Sequence, residues 1–288
     1  MRRASSILGV VTLLTAPAAQ RLSAQERILP LARDGYFRVY NRSGSIHVTG
    51  WDVDSVRWRV RLSPGQELFG GGNAQMAKVG VSGADGPTTF EVQVPRGVKL
   101  VIDAGEGSVD IEGVAGAIEI QGGAGAVRVT GAPARLTIET VDGAVTLAGG
   151  VFRSTEVRTA GGMIQVEGAR GEIVLSSVTG AVIAEVDSVT RGAVSTVSGV
   201  IRLGAGMDHT GTLTVESHGG DIQLRLDPRP GVELMATAFG GPIENTLTHT
   251  LPHPVRDGRS QLLETNIGSG GGTVTVTSFK GRIRLQAR

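Results

Sequence analysis

From Gly107 the chain keeps returning to one nine-residue unit, and this period restricts the possible folds more than any other feature. The copies read GSVDIEGVA, GAIEIQGGA, GAVRVTGAP, ARLTIETVD and GAVTLAGGV. After a one-residue slip they continue as GMIQVEGAR, GEIVLSSVT and GAVIAEVDS from Gly162. Looser copies start at Gly192, Gly199, Gly211 and Gly220, with outlying ones at Gly44, Gly272 and Gly281. Within a unit the apolar positions alternate, as in Val109 and Ile111, Ile118 and Ile120, Val127 and Val129, or Ile164 and Val166. Such a period of two marks a short strand with one buried face. The bounding glycines are expected to turn the corners, where positive φ is needed.

Nine residues cannot hold a strand, a crossover and a return to a parallel partner, so two units make one coil. Every second glycine falls at 107, 125, 143, 162, 180 and 199, in steps of 18 or 19 residues. The fold class expected is all-β: a single-stranded, parallel β-helix-like solenoid with coils of about 18 residues and capping strands at both ends. Val109, Val127, Val145 and Ile164 should stack in one inward column. Roughly seven coils at about 4.8 Å each would make a rod near 35 Å long. An antiparallel meander is the rival geometry, and an all-β sandwich is the alternative after Gly199.

Composition agrees with thin, regular strand layers. Aromatics are 3 % of the 288 residues, so the core must be built from Val, Ile, Leu and Ala. The 44 glycines are about twice the usual share. Interleaved β-branched residues make them turn glycines rather than disorder.

Met1-Arg2-Arg3, the apolar run Ile7 to Ala16, and small residues at Ala16, Ala18, Ala19, Ser23 and Ala24 form a secretory leader. A buried N-terminal helix is the alternative. Cleavage is expected after Ala24, or else after Ala18. The apolar run is too short to anchor in a bilayer, and no later segment spans one. The chain has 28 basic and 27 acidic residues, a net +1; loss of Arg2, Arg3 and Arg21 leaves 25 against 27, or −2. Neither balance suits nucleic acid. Cysteine is absent, so export brings neither disulfides nor a cysteine-linked lipid.

The expected layout is a signal peptide over 1–24, N-terminal capping strands and a loop over 25–106, the solenoid over 107–244, an insertion loop over 245–271 and closing strands over 272–288. Both tryptophans and both tyrosines lie between Tyr36 and Trp58, which suits a cap over the open end of a stack. Ser63 to Thr89, with Gly70-Gly71-Gly72, reads as a flexible excursion or a long hairpin.

Four blocks in this order resemble the DUF4097 family of adhesin-like β-strand-repeat proteins. They are Ser43-Gly44-Ser45-Ile46-His47-Val48-Thr49-Gly50-Trp51-Asp52, then Val94-Pro95-Arg96-Gly97-Val98-Lys99-Leu100, the repeats to Leu226, and Ile267 to Leu285. The family often has Asp after the repeat glycine; here Ser and Ala dominate, and only Glu172 and Asp221 keep an acid there. The resemblance implies a surface or periplasmic adhesin-like scaffold.

The residues themselves offer little chemistry. Calcium rolls need recurring turn carboxylates, and Asp142 is an isolated one. Glu167 and Glu185 should share an outward column one coil apart, a spacing that suits a retaining glycosidase, though a solvated face explains them as well as it explains Asp110 above Arg128. His249 and His253 flank Pro252, which breaks the helix such a metal pair needs. His218-Gly219-Gly220-Asp221 reads as a turn entering a strand. Nucleophile-elbow, Walker and dinucleotide motifs do not occur.

The expected function is therefore an exported, non-catalytic scaffold in the periplasm, on the cell surface or outside the cell. Its expected partners are cell-envelope polysaccharide or protein, with no nucleic acid, no catalytic residue, no metal and no cofactor. The alternatives are a polysaccharide-active enzyme and a self-assembling filament subunit; oligomeric state is left open.

The inward and outward assignment is testable. Val127→Asp should cost several kcal/mol, because a charge is buried without a partner. Arg128→Asp should cost well under about 1 kcal/mol. Chemical denaturation of the two variants compares them directly, and equal losses would refute the register.

Overall fold

The computed structural model describes residues 24–227, 229, 231–255 and 258–288; most of the expected leader lies outside them. Every described element is a strand. The N-terminal end holds β1 (Ala24–Pro30), β2 (Tyr36–Trp51), β3 (Ser55–Arg61), β4 (Gln66–Gly72), β5 (Met76–Gly83) and β6 (Thr88–Pro95). The repeats form β7 (Lys99–Glu112), β8 (Ala117–Ala124), β9 (Val127–Thr130), β10 (Arg135–Asp142) and β11 (Val145–Ala148). They continue as β12 (Phe152–Thr159), β13 (Ile164–Ser177), β14 (Val182–Thr196), β15 (Ile201–Ser217) and β16 (Ile222–Leu226). The C-terminal end holds β17 (Gly231–Ala238), β18 (Ile243–Asn245), β19 (His253–Pro254), β20 (Gln261–Gly268), β21 (Gly272–Ser278) and β22 (Ile283–Ala287).

Repeat strands pair in parallel with the strand one coil away, which excludes the meander, and the ladder runs unbroken past Gly199. Val109, Val127, Val145 and Ile164 stack in register as expected. On the other face one buried column runs Val79, Val39, Ile102, Ile120, Ile138, Val157, Leu175, Val194, Val215, Val276 and Ala236. That column marks eleven levels among the described residues, a stack of about 48 Å at the usual strand spacing. The repeats account for the seven levels expected of them. Two more at each end come from β5–β6 with β2, and from β21–β22 with β17–β18.

Each coil has two corners, and they behave differently. Across the first corner the inward residues always lie nine apart: Leu136 and Val145, Thr155 and Ile164, Gly192 and Ile201, Leu213 and Ile222. Two devices hold it. A Cβ on Gly125, Gly143, Gly162, Gly180 or Gly199 would be driven into the carbonyl oxygen of the corner glycine one coil earlier. Three residues before it sits a buried hydroxyl. Thr159, Ser177, Thr196 and Ser217 accept the amide hydrogens of Gly162, Gly180, Gly199 and Gly220 at 2.9–3.1 Å. The hydroxyl satisfies a donor that the turn takes out of the strand ladder.

This alters the expected reason for glycine. Gly107 and Gly125 do have positive φ, at 144° and 132°, but Gly143, Gly162, Gly180 and Gly199 do not. From Gly143 onward the residue is small because backbone lies against backbone, not because the turn is left-handed.

The second corner takes up the slack. Val145 and Thr155 lie ten residues apart, and Ile201 and Leu213 lie twelve apart. Register shifts fall here, between Glu167 and Glu172 on β13 and between Val186 and Arg191 on β14. The slip in the sequence period is thus confined to one edge of the rod.

At both ends the order in space departs from the order in sequence. β2 lies between β5–β6 and β7, and β21 and β22 lie between β15–β16 and β17–β18. Antiparallel strands then cover the outermost level: β3 on β6, β1 on β3, β4 on β5 and β20 on β17. Buried Trp58 stacks on Phe37 at 6.1 Å and plugs the N-terminal core. Exposed Glu26 on β1 binds Arg57 and Arg59 of β3; Arg59 first, then Arg57, holds its carboxyl below the usual range.

Gly143→Ala should lower stability by about 2–4 kcal/mol, the scale of forced backbone strain. Gly122→Ala, whose new methyl meets nothing nearer than 3.4 Å, should change it by less than about 1 kcal/mol. Denaturant midpoints measure both, and a tolerated Gly143→Ala would refute the close-approach account.

Candidate functional site

A groove opens at the N-terminal end, where one outward column passes beneath the β4–β5 hairpin. Its floor is Tyr40, Asp103, Gln121 and Glu139, which face each other in strict register on β2, β7, β8 and β10. Strand spacing puts about 4.8 Å between successive members. Beside this column runs the corner position, filled in later coils by Thr159, Ser177, Thr196 and Ser217. At two levels under the hairpin it carries Ala104 and Gly122 instead, and the surface is recessed there. The resulting groove has a volume of about 910 Å³. A second depression of about 560 Å³ continues from it past Arg42 and Gly105 towards Gln66 and Glu106.

The wall is aromatic and owes its form to Gly80. This glycine pairs with Tyr40 on one side and Phe69 on the other. A Cβ on it would collide with the Phe69 ring and come within 2.8 Å of Tyr40 Cβ. The missing side chain lets Phe69 lie across the strand onto Tyr40, with ring centroids 6.2 Å apart and planes tilted by 41°. Phe69 remains 39 % exposed and lines the groove together with Lys78, Val81 and Ser82.

The floor is locked electrostatically. Arg38 donates to both Asp103 oxygens, at 2.7 and 3.1 Å, and its guanidinium lies 4.7 Å from the Tyr40 centroid. The Asp103 hydrogen bonds hold Arg38 more firmly charged than usual, against the opposing effect of burial. Arg158 reaches Glu139 at 3.6 Å. The charged groups on the lining are Arg42, Lys78, Asp103 and Glu139, two of each sign.

The residues singled out in the sequence lie elsewhere. Glu167 and Glu185 do face each other one coil apart. Exposed Glu167 accepts from Gln165 at 3.3 Å, whereas Glu185 arches over Gly204 to pair with Arg225 and also meets Arg288 at 3.4 Å. Asp110 lies in register with Arg128, but its carboxylate lies 3.6 Å from the His47 ring nitrogen. His218 stacks on Phe279, centroids 5.2 Å apart, and Asp221 accepts the Arg282 amide hydrogen at 2.8 Å. His249 and His253 are exposed, and His253 pairs with Leu262. Among the described residues no three metal-binding side chains come together, and no helix is long and apolar enough to cross a membrane.

The sequence profile of one family, described as Toastrack DUF4097, matches residues 42–285. The chain belongs to this Toastrack family. The profile spans the repeats and the floor residues Asp103, Gln121 and Glu139, with Tyr40 just ahead of its start, and the Toastrack fold is β-solenoid-like. A search of the curated proteins finds no match to this sequence. Among solved structures it is similar to a "putative cell adhesion protein" from Clostridium sporogenes, with 9 % identity and a TM-score of 0.23 over 92 % of this chain and 100 % of that one. It is also similar to a "putative adhesin" from Parabacteroides distasonis, with 13 % identity and a TM-score of 0.32 over 72 % of this chain and 94 % of that one.

Sequence reasoning passed over this Toastrack groove because Tyr40 and Phe69 lie far apart in sequence and meet only through Gly80. A signal was present nonetheless. The Ser/Thr-x-x-Gly corner of the later repeats is replaced by Ala104-Gly105-Glu106-Gly107 and Gly122-Gly123-Ala124-Gly125, which mark the recess.

Gly80→Val should displace the Phe69 ring and cost about 1–3 kcal/mol, as overpacking does. Loss of the ring-current shifts of Tyr40 in NMR spectra would accompany it. Unchanged Tyr40 shifts would refute the role given to Gly80.

Proposed function

We propose that this Toastrack protein is an exported, non-catalytic scaffold that holds cell-envelope polysaccharide. The observation that carries the reading is the groove: a continuous, open surface with an aromatic wall and a polar floor at one residue per coil. Such a surface gives many weak, repeated contacts, which suits a polymer better than a small molecule enclosed on all sides. Export rests on the leader pattern of residues 1–24 and leads to the periplasm, the cell surface or the medium.

The chemistry of the carboxylates supports binding over cleavage. Glycoside hydrolysis needs a protonated acid beside a free carboxylate at a set distance. In the groove Asp103 is held by Arg38, Glu139 is approached by Arg158, and Gln121 separates the two. On the opposite face Glu185 is committed to Arg225 and Arg288, so the Glu167–Glu185 pair lacks two equivalent free groups. The covering strands at both ends support a unit that does not polymerise end to end.

The secreted protein should co-sediment with one or more insoluble envelope polysaccharides, and the sugar recovered should be of unchanged length. Release of shortened products, abolished by Glu167→Gln or Glu185→Gln, would make this an enzyme and overturn the reading. A failure to bind any envelope polysaccharide would overturn it equally.

A further inference from the structure

We propose that the groove takes an uncharged oligosaccharide strand, laid along Tyr40, Asp103, Gln121 and Glu139 with one sugar ring against Phe69; this rests on the polysaccharide-binding reading above. Three observations choose the ligand class.

The first is charge. Arg38 holds Asp103, Arg158 lies between Glu139 and Glu156, and Arg42 meets Asp85 at 3.8 Å, so that with Lys78 these groups number four of each sign. A polyanion would meet Asp103 and Glu139, and a polycation would meet Lys78 and Arg42. An uncharged chain meets neither penalty, because it leaves the existing ion pairs intact.

The second is the kind of hydrogen-bonding group presented. Backbone groups of the floor are used in the parallel ladder between β2, β7, β8 and β10. An extended peptide that binds by adding a strand needs an open backbone edge, which this floor lacks. What remains are side-chain groups around the lining: the Gln121 amide and the Ser82 hydroxyl, each with only a long 3.5 Å hydrogen bond, and the Asn41 amide. These both donate and accept, as sugar hydroxyls do.

The third is the ring. Phe69 is exposed and is positioned by Gly80 and Tyr40 rather than by core packing. Its apolar face suits the C–H face of a pyranose, while the adjacent polar column meets the hydroxyl rim. The one-coil repeat of about 4.8 Å is close to the length of a single sugar ring, so successive sugars meet successive floor residues.

Titration calorimetry of the secreted protein with cellohexaose, chitohexaose, maltohexaose and mannohexaose tests the assignment. At least one should bind, and Phe69→Ala and Gln121→Ala should each weaken it about tenfold or more, a loss of about 1.4 kcal/mol. Glu216→Gln lies in the same outward column outside the groove and should bind like the parent. Binding only to polygalacturonate or to a chitosan oligomer, or only to an extended peptide, would overturn the proposal. So would the absence of binding to all four sugars at about 10 mM, or binding unmoved by Phe69→Ala and Gln121→Ala. Envelope polysaccharide that still co-sediments with the Phe69→Ala, Gln121→Ala double variant would sink the groove assignment alone and leave the scaffold reading standing.

Discussion

Everything in this rod depends on how closely two backbones approach at its first corner. The carbonyl of each corner glycine points at the Cα of the next, leaving no room for a Cβ at Gly125, Gly143, Gly162, Gly180 or Gly199. That contact sets the height of one coil at one fixed place. The buried hydroxyls of Thr159, Ser177, Thr196 and Ser217 then hold the turn by capping the amides that leave the ladder. With one corner fixed in length, the strands on either side of it start in register, and the inward Val, Ile and Leu columns follow. The second corner can then vary by several residues without disturbing either column. Stability is thus shared between a steric requirement at one edge and apolar burial between the faces, each residue of the columns contributing about 1.5–3 kcal/mol.

A stack of identical coils has no natural end, and the chain solves this by tucking. Near its two ends β2 and β21–β22 are each paired on both sides in parallel, while β1 lies outside on β3. The outermost parallel levels, β5–β6 and β17–β18, are made from chain that lies further in than β2 and β21–β22, and antiparallel strands cover them. An arm that frays from the end therefore leaves most of the parallel ladder untouched. The same tuck brings β5 beside β2 and swings the β4–β5 hairpin over the face, so closure of the rod also creates the groove wall.

The parts that were legible in the sequence follow nearest-neighbour rules. The alternation of Val109 with Ile111 gives the inward face, and the 18-residue step from Gly107 to Gly125 gives the coil. The reason for the glycines was less accessible: a turn and a backbone contact both call for Gly, and only coordinates separate Gly125 with positive φ from Gly143 without it. The tucked ends were illegible for another reason. Nothing local in Thr273 to Thr277 says that it will slide between β15 and β17 instead of adding after them, because the alternation fits either place. The groove depends on pairings of Phe69, Gly80 and Tyr40 that follow from that same non-local choice.

The candidate site lies where the rule of the first corner is relaxed. At Thr140, Thr159, Ser177, Thr196 and Ser217 the corner position carries a hydroxyl that serves the turn or its neighbour. At Ala104 and Gly122 it carries none, and those corners forgo that clamp. Natural sequences depart from a structural rule mainly where function compensates for the loss. At Ala104 the loss is offset locally, since the Arg38–Asp103 bond and the Arg38 contact with Tyr40 tie β2 to β7 through side chains at that level. The two exceptions also sit side by side beneath the exposed ring, which random drift in a repeat has no reason to arrange. The recess, the glycine that lays Phe69 down and the arginine that locks the floor therefore belong to one structure, built to keep a surface open in a rod whose other coils are closed.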